Sequence, residues 1–252
     1  MSIQDQKLFI FLIKIINNKL DISLIDTVIL AGGLGTRLRG VLSDKPKCMA
    51  FVNGRPFIDI LLDHYIAQGL KRFIICVGYK REQVIQHLNN RIDCEIIFSQ
   101  ENRQLGTGGA LKNAQGLIKS DPYIVLNGDS FIDINILEYI RWFQLNKNDI
   151  SMVITKMNNS KRYGNINFDG NGLISSFEEK NKSSLTTSIN AGVYLFKKNI
   201  INFSSYGDEF SLEMELFPTL IEQGISTYLC DGKFIDIGTE KSYQNAQLFF
   251  NK

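Results

Sequence analysis

Thr27-Val28-Ile29-Leu30 runs directly into Ala31-Gly32-Gly33-Leu34-Gly35-Thr36-Arg37-Leu38-Arg39, and Pro46-Lys47-Cys48-Met49 follows a few residues later. The apolar, largely β-branched run predicts a short buried strand. The glycines therefore stand at that strand's C-terminal end, where open α/β sheets bind their ligands. With Gly32, Gly33 and Gly35 so close together, backbone N–H groups are unshielded and free to turn towards an anion, while Arg37 and Lys47 bring cations to the same mouth. The segment Leu30, Ala31, Gly32, Gly33, Gly35, Thr36, Arg37 with Lys47 reads as a polyphosphate-binding loop.

Two familiar glycine loops fail on spacing. A dinucleotide fingerprint G-x-G-x-x-G beginning at Gly33 needs glycine where Leu38 stands, and a P-loop beginning at Gly35 reaches Gly40 but meets Val41-Leu42 in place of Lys-Ser/Thr. Beyond the loop, an apolar stripe of Ile58, Leu61, Leu62, Tyr65 and Ile66 predicts a helix from Pro56-Phe57 to Gln68, stopped by Gly69. Strand-like Phe73–Val77, a helix around Glu82–Leu88, a strand at Cys94–Phe98, a helix opening at Gly108-Gly109-Ala110 and a strand at Tyr123–Leu126 continue the alternation. That pattern indicates βαβ units and a mainly parallel sheet. After a helix over Ile134–Leu145, strands near Ile150–Thr155, Asn165–Phe168, Ile174–Phe177 and Ile189–Phe196 follow without intervening helices, which argues for an antiparallel addition. A helix over Leu212–Glu222, a strand at Thr227–Leu229 and a helix after Thr239 close the chain.

The 252 residues suffice for one large α/β domain, and no Pro/Ser-rich linker or charge block divides them. A net charge of +2 gives none of the basic footprint of a nucleic-acid binder, so phosphate affinity has to be local. The cysteines Cys48, Cys76, Cys94 and Cys230 show no C-x-x-C spacing and mostly adjoin apolar runs, which reads as reduced thiols in a cytoplasmic protein. His64 and His87 share no ligand-like spacing with them, which argues against zinc. Residues 1–25 form an N-terminal extension ahead of a catalytic domain at 26–252. In it Leu8, Phe11, Leu12, Ile15 and Ile16 share one helical stripe, too short and too interrupted by Lys14 for a membrane span. The stripe suits a helix packed on the domain or on the partner of a homodimer; a disordered tail and a membrane-surface contact stay open.

Two carboxylates end apolar strands. Asp129 follows Asn127-Gly128, and Asp236 lies in Phe234-Ile235-Asp236-Ile237-Gly238-Thr239. Mg²⁺ prefers such oxygen ligands and takes one or two carboxylates plus substrate phosphates. Each Asp alone could equally cap a turn or helix. Leu105-Gly106-Thr107-Gly108-Gly109-Ala110 opens a helix whose glycines let backbone approach a flat ring, although Thr107 also reads as a plain N-cap. Glu101 can accept both N–H donors of guanine's Watson–Crick edge, with the backbone of Gly106–Gly109 as the other candidate reader. Gly78-Tyr79 borders the same region.

G-G-x-G-T-R-L followed by P-K-x-M, with the G-T-G-G-A, G-D and D-I-G-T segments in order, resembles the sugar-nucleotide pyrophosphorylases over about residues 26–250. The resemblance implies a Rossmann-like three-layer α/β sandwich of the nucleotide-diphospho-sugar transferase type. It leaves no room for the left-handed β-helix that some relatives append. It also implies a sugar-phosphate half-site in Glu178-Glu179-Lys180 and Asn190-Ala191-Gly192-Val193-Tyr194: Glu179 and Asn190 on sugar hydroxyls, Lys180 on the 1-phosphate, with Gly128 and Gly192 beside them. Arg37, Lys47 and Lys180 inherit catalytic roles, and Asp129 and Asp236 hold Mg²⁺. Asn181, Cys48 and Phe51 depart from the family's usual prolines. Within the family, S-D-x-P-K, F-S-L-E at Phe210–Glu213 and F-x-D-I-G-T are most similar to the D-glycero-α-D-manno-heptose 1-phosphate guanylyltransferases, implying GTP and that heptose 1-phosphate as substrates for surface-polysaccharide synthesis. Other sugar 1-phosphates with GTP, UTP, CTP or dTTP remain open. A glycosyltransferase lacks support because Asp129-Ser130-Phe131 has no D-x-D, and a non-catalytic sensor would not need Arg37, Lys47 and Asp236 together.

Overall fold

The computed structural model describes residues 20–33, 35, 38, 45–158, 163–178 and 186–250. Its centre is a seven-stranded sheet made of β1 (Asp26–Leu30), β4 (Arg72–Val77), β5 (Glu95–Gln100), β6 (Tyr123–Asn127), β8 (Ile150–Asn158), β11 (Thr186–Phe196) and β12 (Ser226–Leu229), in the order β12-β8-β11-β6-β1-β4-β5. Every neighbouring pair is parallel except those of β11, which runs against both β6 and β8. The mixed, mainly parallel sheet and its antiparallel insertion are as the sequence implies.

The strands alternate between two cores because successive side chains leave a sheet on opposite faces. Ile29, Phe73, Ile75, Val77, Ile124 and Leu126 pack on one side with helices α1 (Phe57–Ala67), α2 (Arg81–Leu88), α4 (Ile136–Leu145) and α6 (Glu240–Phe249). Val28, Ile74, Cys76, Tyr123 and Val125 pack on the other with α3 (Gly106–Ala114) and a helical segment. That segment comprises a π turn at Leu212–Leu216, α5 (Phe217–Leu220) and a 3-10 turn at Ile221–Gln223. Burial on both faces explains why β1, β4 and β6 read as continuous apolar runs rather than as alternating ones.

Register positions the site. Leu30 pairs with Cys76 on one side and Asn127 on the other, so the loops leaving β1, β4 and β6 emerge together. The chain proceeds from β1 to β4 and β5 in one direction, and β6 lies on β1's other flank. The crevice between β1 and β6 is thus a topological switch point, where such sheets take their ligands.

Two small antiparallel pairs complete the frame. β2 (Phe51–Val52) and β3 (Arg55–Pro56) form a hairpin that the sequence reading passes over, turned by Asn53 at φ 50 and Gly54 at φ 79, the left-handed pair a two-residue Asn-Gly loop requires. β7 (Ser130–Ile132) pairs with β13 (Phe234–Asp236), Ser130 opposite Asp236, and this carries the second acidic strand end to the first. β9 (Asn165–Phe168) and β10 (Ile174–Glu178) make a separate antiparallel pair, with β9 against β11. At the amino-terminal side, Ile22–Leu24 form a 3-10 turn, and Leu20 and Ile22 pack against the core. The helical expectation for residues 1–19 lies outside the described residues.

Candidate active site

The switch-point crevice is a cleft of about 340 Å³ lined by the backbone of Leu30–Gly33, by Lys47, Cys48, Glu101, Gln104, Gly106, Thr107 and Ala110, by Asn127-Gly128-Asp129 and by Glu213. Gly32, Gly33, Gly106 and Gly128 bring backbone to its walls among these side chains. Peptide N–H groups with little side-chain cover suit an anion.

At one wall the Lys47 ammonium is bonded to the Asp129 carboxylate, with Ser130 Oγ donating to the other oxygen at 3.1 Å. Burial opposes ionisation of Asp129, but the Lys47 charge and hydrogen bond outweigh it and hold the carboxyl below the ordinary range. Asp129 nevertheless keeps 37% of its side-chain surface open to the cleft, against 17% for Lys47. Asp236 is 8% exposed. Burial, reinforced by the Asp129 charge, pushes its carboxyl up, opposed in part by Gly238 N–H and Lys47. Its Oδ1 accepts from Gly238 N at 2.7 Å and Ser242 Oγ at 3.3 Å, and its Oδ2 accepts from the Tyr163 hydroxyl. Asp236 thus caps the turn into α6, and it lies near enough to the Lys47–Asp129 pair to feel both charges.

At the far end Glu101 is 7% exposed, and its Oε1 is buried with no hydrogen-bond partner. Burial raises its carboxyl above the ordinary range, opposed in part by the Leu105 N–H. The carboxylate lies directly against Gly32, and a side chain at Gly78 would stand 2.9 Å from Gly32 O and 3.4 Å from Glu101 Oε2. These two glycines make the space in which Glu101 sits. An unpartnered buried carboxylate oxygen costs stability unless something donates to it, so Glu101 Oε1 stands at the cleft as an unmet acceptor.

The Gly106–Ala114 helix begins two residues before the expected opening, at a glycine with φ +72 tucked against the Phe210 carbonyl. Thr107 is not an N-cap. Its hydroxyl donates to Glu213 Oε2 at 2.7 Å and accepts from Leu212 N at 2.9 Å, which ties the glycine loop to the π turn. Glu213 also borders a second cleft of about 540 Å³ lined by Tyr163, Asn165, Ile166, Phe177, Asn190 and Phe217 among others. There Asn190 is held firmly: Nδ2 donates to the Tyr194 hydroxyl at 2.8 Å and Oδ1 accepts from Gly192 N at 2.8 Å.

Leu30, Ala31, Gly32, Gly33, Lys47, Glu101, Gly106, Thr107, Gly128 and Asp129 therefore gather in one cleft, and Asn190 in its neighbour. Gly35, Gly78, Gly108 and Gly192 stand behind the walls: Gly35 against the Lys47 stem, Gly78 behind Gly32, Gly108 against the Phe210 ring and Gly192 against Asn127. Thr36, Arg37, Glu179 and Lys180 lie outside the described residues. The sequence reading did not assign Asn127, Gln104, Tyr163 or Glu213 to the site. Asn127 and Glu213 were within reach, since both sit inside quoted motifs, whereas nothing local in the sequence marks Tyr163.

Residues 26–252 match the nucleotidyl transferase family. The chain is 37% identical to D-glycero-α-D-manno-heptose 1-phosphate guanylyltransferase of Campylobacter jejuni over 86% of its own length and 96% of that protein's. It is 32% identical to the enzyme of that name from Aneurinibacillus thermoaerophilus, over 88% and 96%. Its fold matches the crystal structure of HddC from Yersinia pseudotuberculosis with a TM-score of 0.81 at 35% identity, covering 90% of this chain and 100% of that one. The same protein complexed with GMP-PN gives a TM-score of 0.80 at 34% identity, with the same coverage.

Proposed function

The chain belongs to the nucleotidyl transferase family, and on that premise we propose that it transfers a guanylyl group from GTP to D-glycero-α-D-manno-heptose 1-phosphate, giving the GDP-heptose and pyrophosphate. The observation that carries the reading is the pair of contiguous clefts that share Glu213, one walled by glycine backbone and the Lys47–Asp129 pair, the other by Asn190 and Asn165. Two anionic substrates need two such seats meeting at one point. The relatives of the same printed name and the GMP-PN complex of HddC support the choice of base and sugar.

The reaction joins an oxygen of the sugar 1-phosphate to the α-phosphorus of the triphosphate and breaks the α–β bridging bond. The acceptor is already a nucleophilic anion, so neither a general base nor a covalent enzyme intermediate is required. Catalysis is then alignment and charge neutralisation. Lys47 bears on the triphosphate from the cleft wall, and Arg37 joins it from the glycine loop. Glu179, Lys180 and Asn190 hold the sugar and its phosphate.

A divalent cation suits this donor set. Asp129 and Asp236 offer hard oxygen donors: Asp129 bonds the Lys47 ammonium, and Asp236 lies near enough to feel both charges. Among the described residues no cluster of three or more His, Cys, Asp and Glu could hold a metal, so phosphate oxygens and water would complete the shell. Mg²⁺ held by Asp129 and Asp236 would offset the charge on the α- and β-phosphates.

Glu101 is the proposed reader of guanine, its unpartnered Oε1 and its neighbour accepting N1–H and N2–H. A homodimer through residues 1–25 and a cytoplasmic site of action complete the proposal. The four free cysteines accord with the latter, and among the described residues no helix is long and apolar enough to cross a membrane.

Pyrophosphate release over a matrix of nucleoside triphosphates and sugar 1-phosphates tests the assignment. The highest kcat/KM is expected for GTP with the heptose 1-phosphate. Another pair leading would overturn the substrates, and no release from any pair would overturn the reaction.

A further inference from the structure

We propose that Tyr163 is a latch on the second metal carboxylate: its hydroxyl takes the Asp236 oxygen that a divalent cation needs, and filling of the sugar-phosphate cleft that Tyr163 lines draws it away. The proposal rests on the reading of Asp236 as a metal ligand.

Three observations carry it. First, both Asp236 oxygens are engaged by protein donors, Oδ1 by Gly238 N and Ser242 Oγ, Oδ2 by the Tyr163 hydroxyl. Gly238 N is a backbone donor fixed by the turn into α6, and Ser242 Oγ, in the first turn of α6, is also tied to the Thr239 carbonyl. Tyr163 is the donor that can leave by side-chain rotation, so Oδ2 is the oxygen a cation would contest. Second, Tyr163 belongs to the sugar cleft, whose lining it shares with Asn190 and Glu213. One phenol thus touches a proposed metal ligand and borders the acceptor's seat. Third, its ring stands edge-on to Phe234 at 5.9 Å, and Phe234 precedes Asp236 by two positions on β13, on the same face of the strand. The ring rests edge-on against the strand that carries the carboxylate, and because the phenol oxygen lies on the ring axis, freeing the carboxylate means that the ring swings from Phe234 towards the cleft it lines.

The exchange is chemically balanced. A sugar 1-phosphate brings acceptor oxygens into the cleft, and a phenol that donates to one of them loses nothing by leaving the carboxylate. A cation arriving at Asp236 repels the hydroxyl proton and favours the same exchange. The metal seat is then complete only with the acceptor in place.

Mn²⁺ binding, followed by electron paramagnetic resonance of the free ion and with no triphosphate present, tests the latch apart from turnover. Tyr163→Phe retains the ring contact and removes the hydroxyl. It should bind Mn²⁺ at least about tenfold more tightly than the wild type, the scale of releasing one hydrogen bond to a charged acceptor. Adding D-glycero-α-D-manno-heptose 1-phosphate should tighten Mn²⁺ binding more in the wild type than in the variant. Asp236→Asn is the reference and should weaken binding in both backgrounds. If Asp236→Asn weakens Mn²⁺ binding but Tyr163→Phe matches or falls below the wild type, the latch is wrong and the metal assignment stands. Equal tightening by the sugar phosphate in the two proteins overturns the coupling. If Asp236→Asn binds Mn²⁺ as the wild type does, the metal reading fails and the latch fails with it.

Discussion

Lys47 and Asp129, 82 residues apart in the chain, are joined through their charged ends at the wall of the glycine-lined cleft. Lys47 comes from the turn after the glycine loop and Asp129 from the end of β6, so the pair spans the switch-point crevice. Each partner is also what a substrate component requires: a triphosphate wants the ammonium, a metal the carboxylate. The ion pair compensates both charges inside a half-buried site, and on the proposed function ligands would replace each partner with its own counter-charge.

Lys47→Met should therefore lower kcat and kcat/KM together, by about a hundredfold or more, the range for removing one preorganised charge from a transition state. It should also move the acid limb of the activity profile to higher pH. Asp129 is held below the ordinary carboxylate range against the opposing effect of burial because Lys47 is there; without the ammonium its protonated form persists to higher pH. Steady-state kinetics across pH 5–9 check both. An unmoved acid limb would show that Lys47 does not control Asp129.

Asp129→Asn and Asp236→Asn should each fold and lose most Mg²⁺-dependent turnover, because a neutral amide holds a hard cation poorly. Calorimetric titration with Mg²⁺ in the presence of a non-hydrolysable triphosphate separates the metal from the chemistry. Retained affinity in either variant would remove that residue from the metal site.

The sheet was legible because its strands are buried on both faces: Val28 and Ile29 supply different cores, so both had to be apolar. The glycine loop, Lys47 and Asp129 were legible because they are local, each attached to the end of a readable strand. What could not be read depends on long-range register. The pairing of Ser130 with Asp236, which sets the second carboxylate beside the first, joins strands far apart in the chain and only three residues long. The tie that holds Thr107 in the cleft wall is long-range too, since its hydroxyl partner is Glu213, 106 positions on, which decides against its N-cap alternative. The Asn53-Gly54 hairpin was a local signal, but two-residue strands are too short to show periodicity.

The N-terminal extension is expected to act in association and not in chemistry. Leu20 and Ile22 pack on the core, so the informative truncation removes residues 1–19 and spares them. Specific activity should hold while the mass in solution falls from dimer to monomer, read by sedimentation or light scattering. An unchanged mass would remove the dimer proposal.

Glu101 links base choice to stability. A carboxylate facing guanine accepts N1–H and N2–H, whereas adenine sets an unprotonated N1 against it and leaves a buried charge unmet. That mismatch costs about 1–3 kcal/mol or more, so GTP should be preferred over ATP by roughly ten- to a hundredfold in kcat/KM. Glu101→Gln keeps one acceptor, adds a donor that opposes guanine's N–H groups, and should erode the preference. The same change should stabilise the free protein. Burial raises the folded carboxyl above its unfolded value, so the native state binds more protons and its stability falls as pH rises from the ordinary glutamate range through the folded pKa. The glutamine has no such loss. Its melting temperature should exceed the wild type's at pH 7 to 8, the gap closing near pH 4, with each 1 kcal/mol worth about 2–4 °C in a domain of this size. A variant with unaltered base preference would return base reading to the backbone of residues 106–109, and a melting curve unmoved at neutral pH would mean that Glu101 is not the strained group its unpartnered Oε1 indicates.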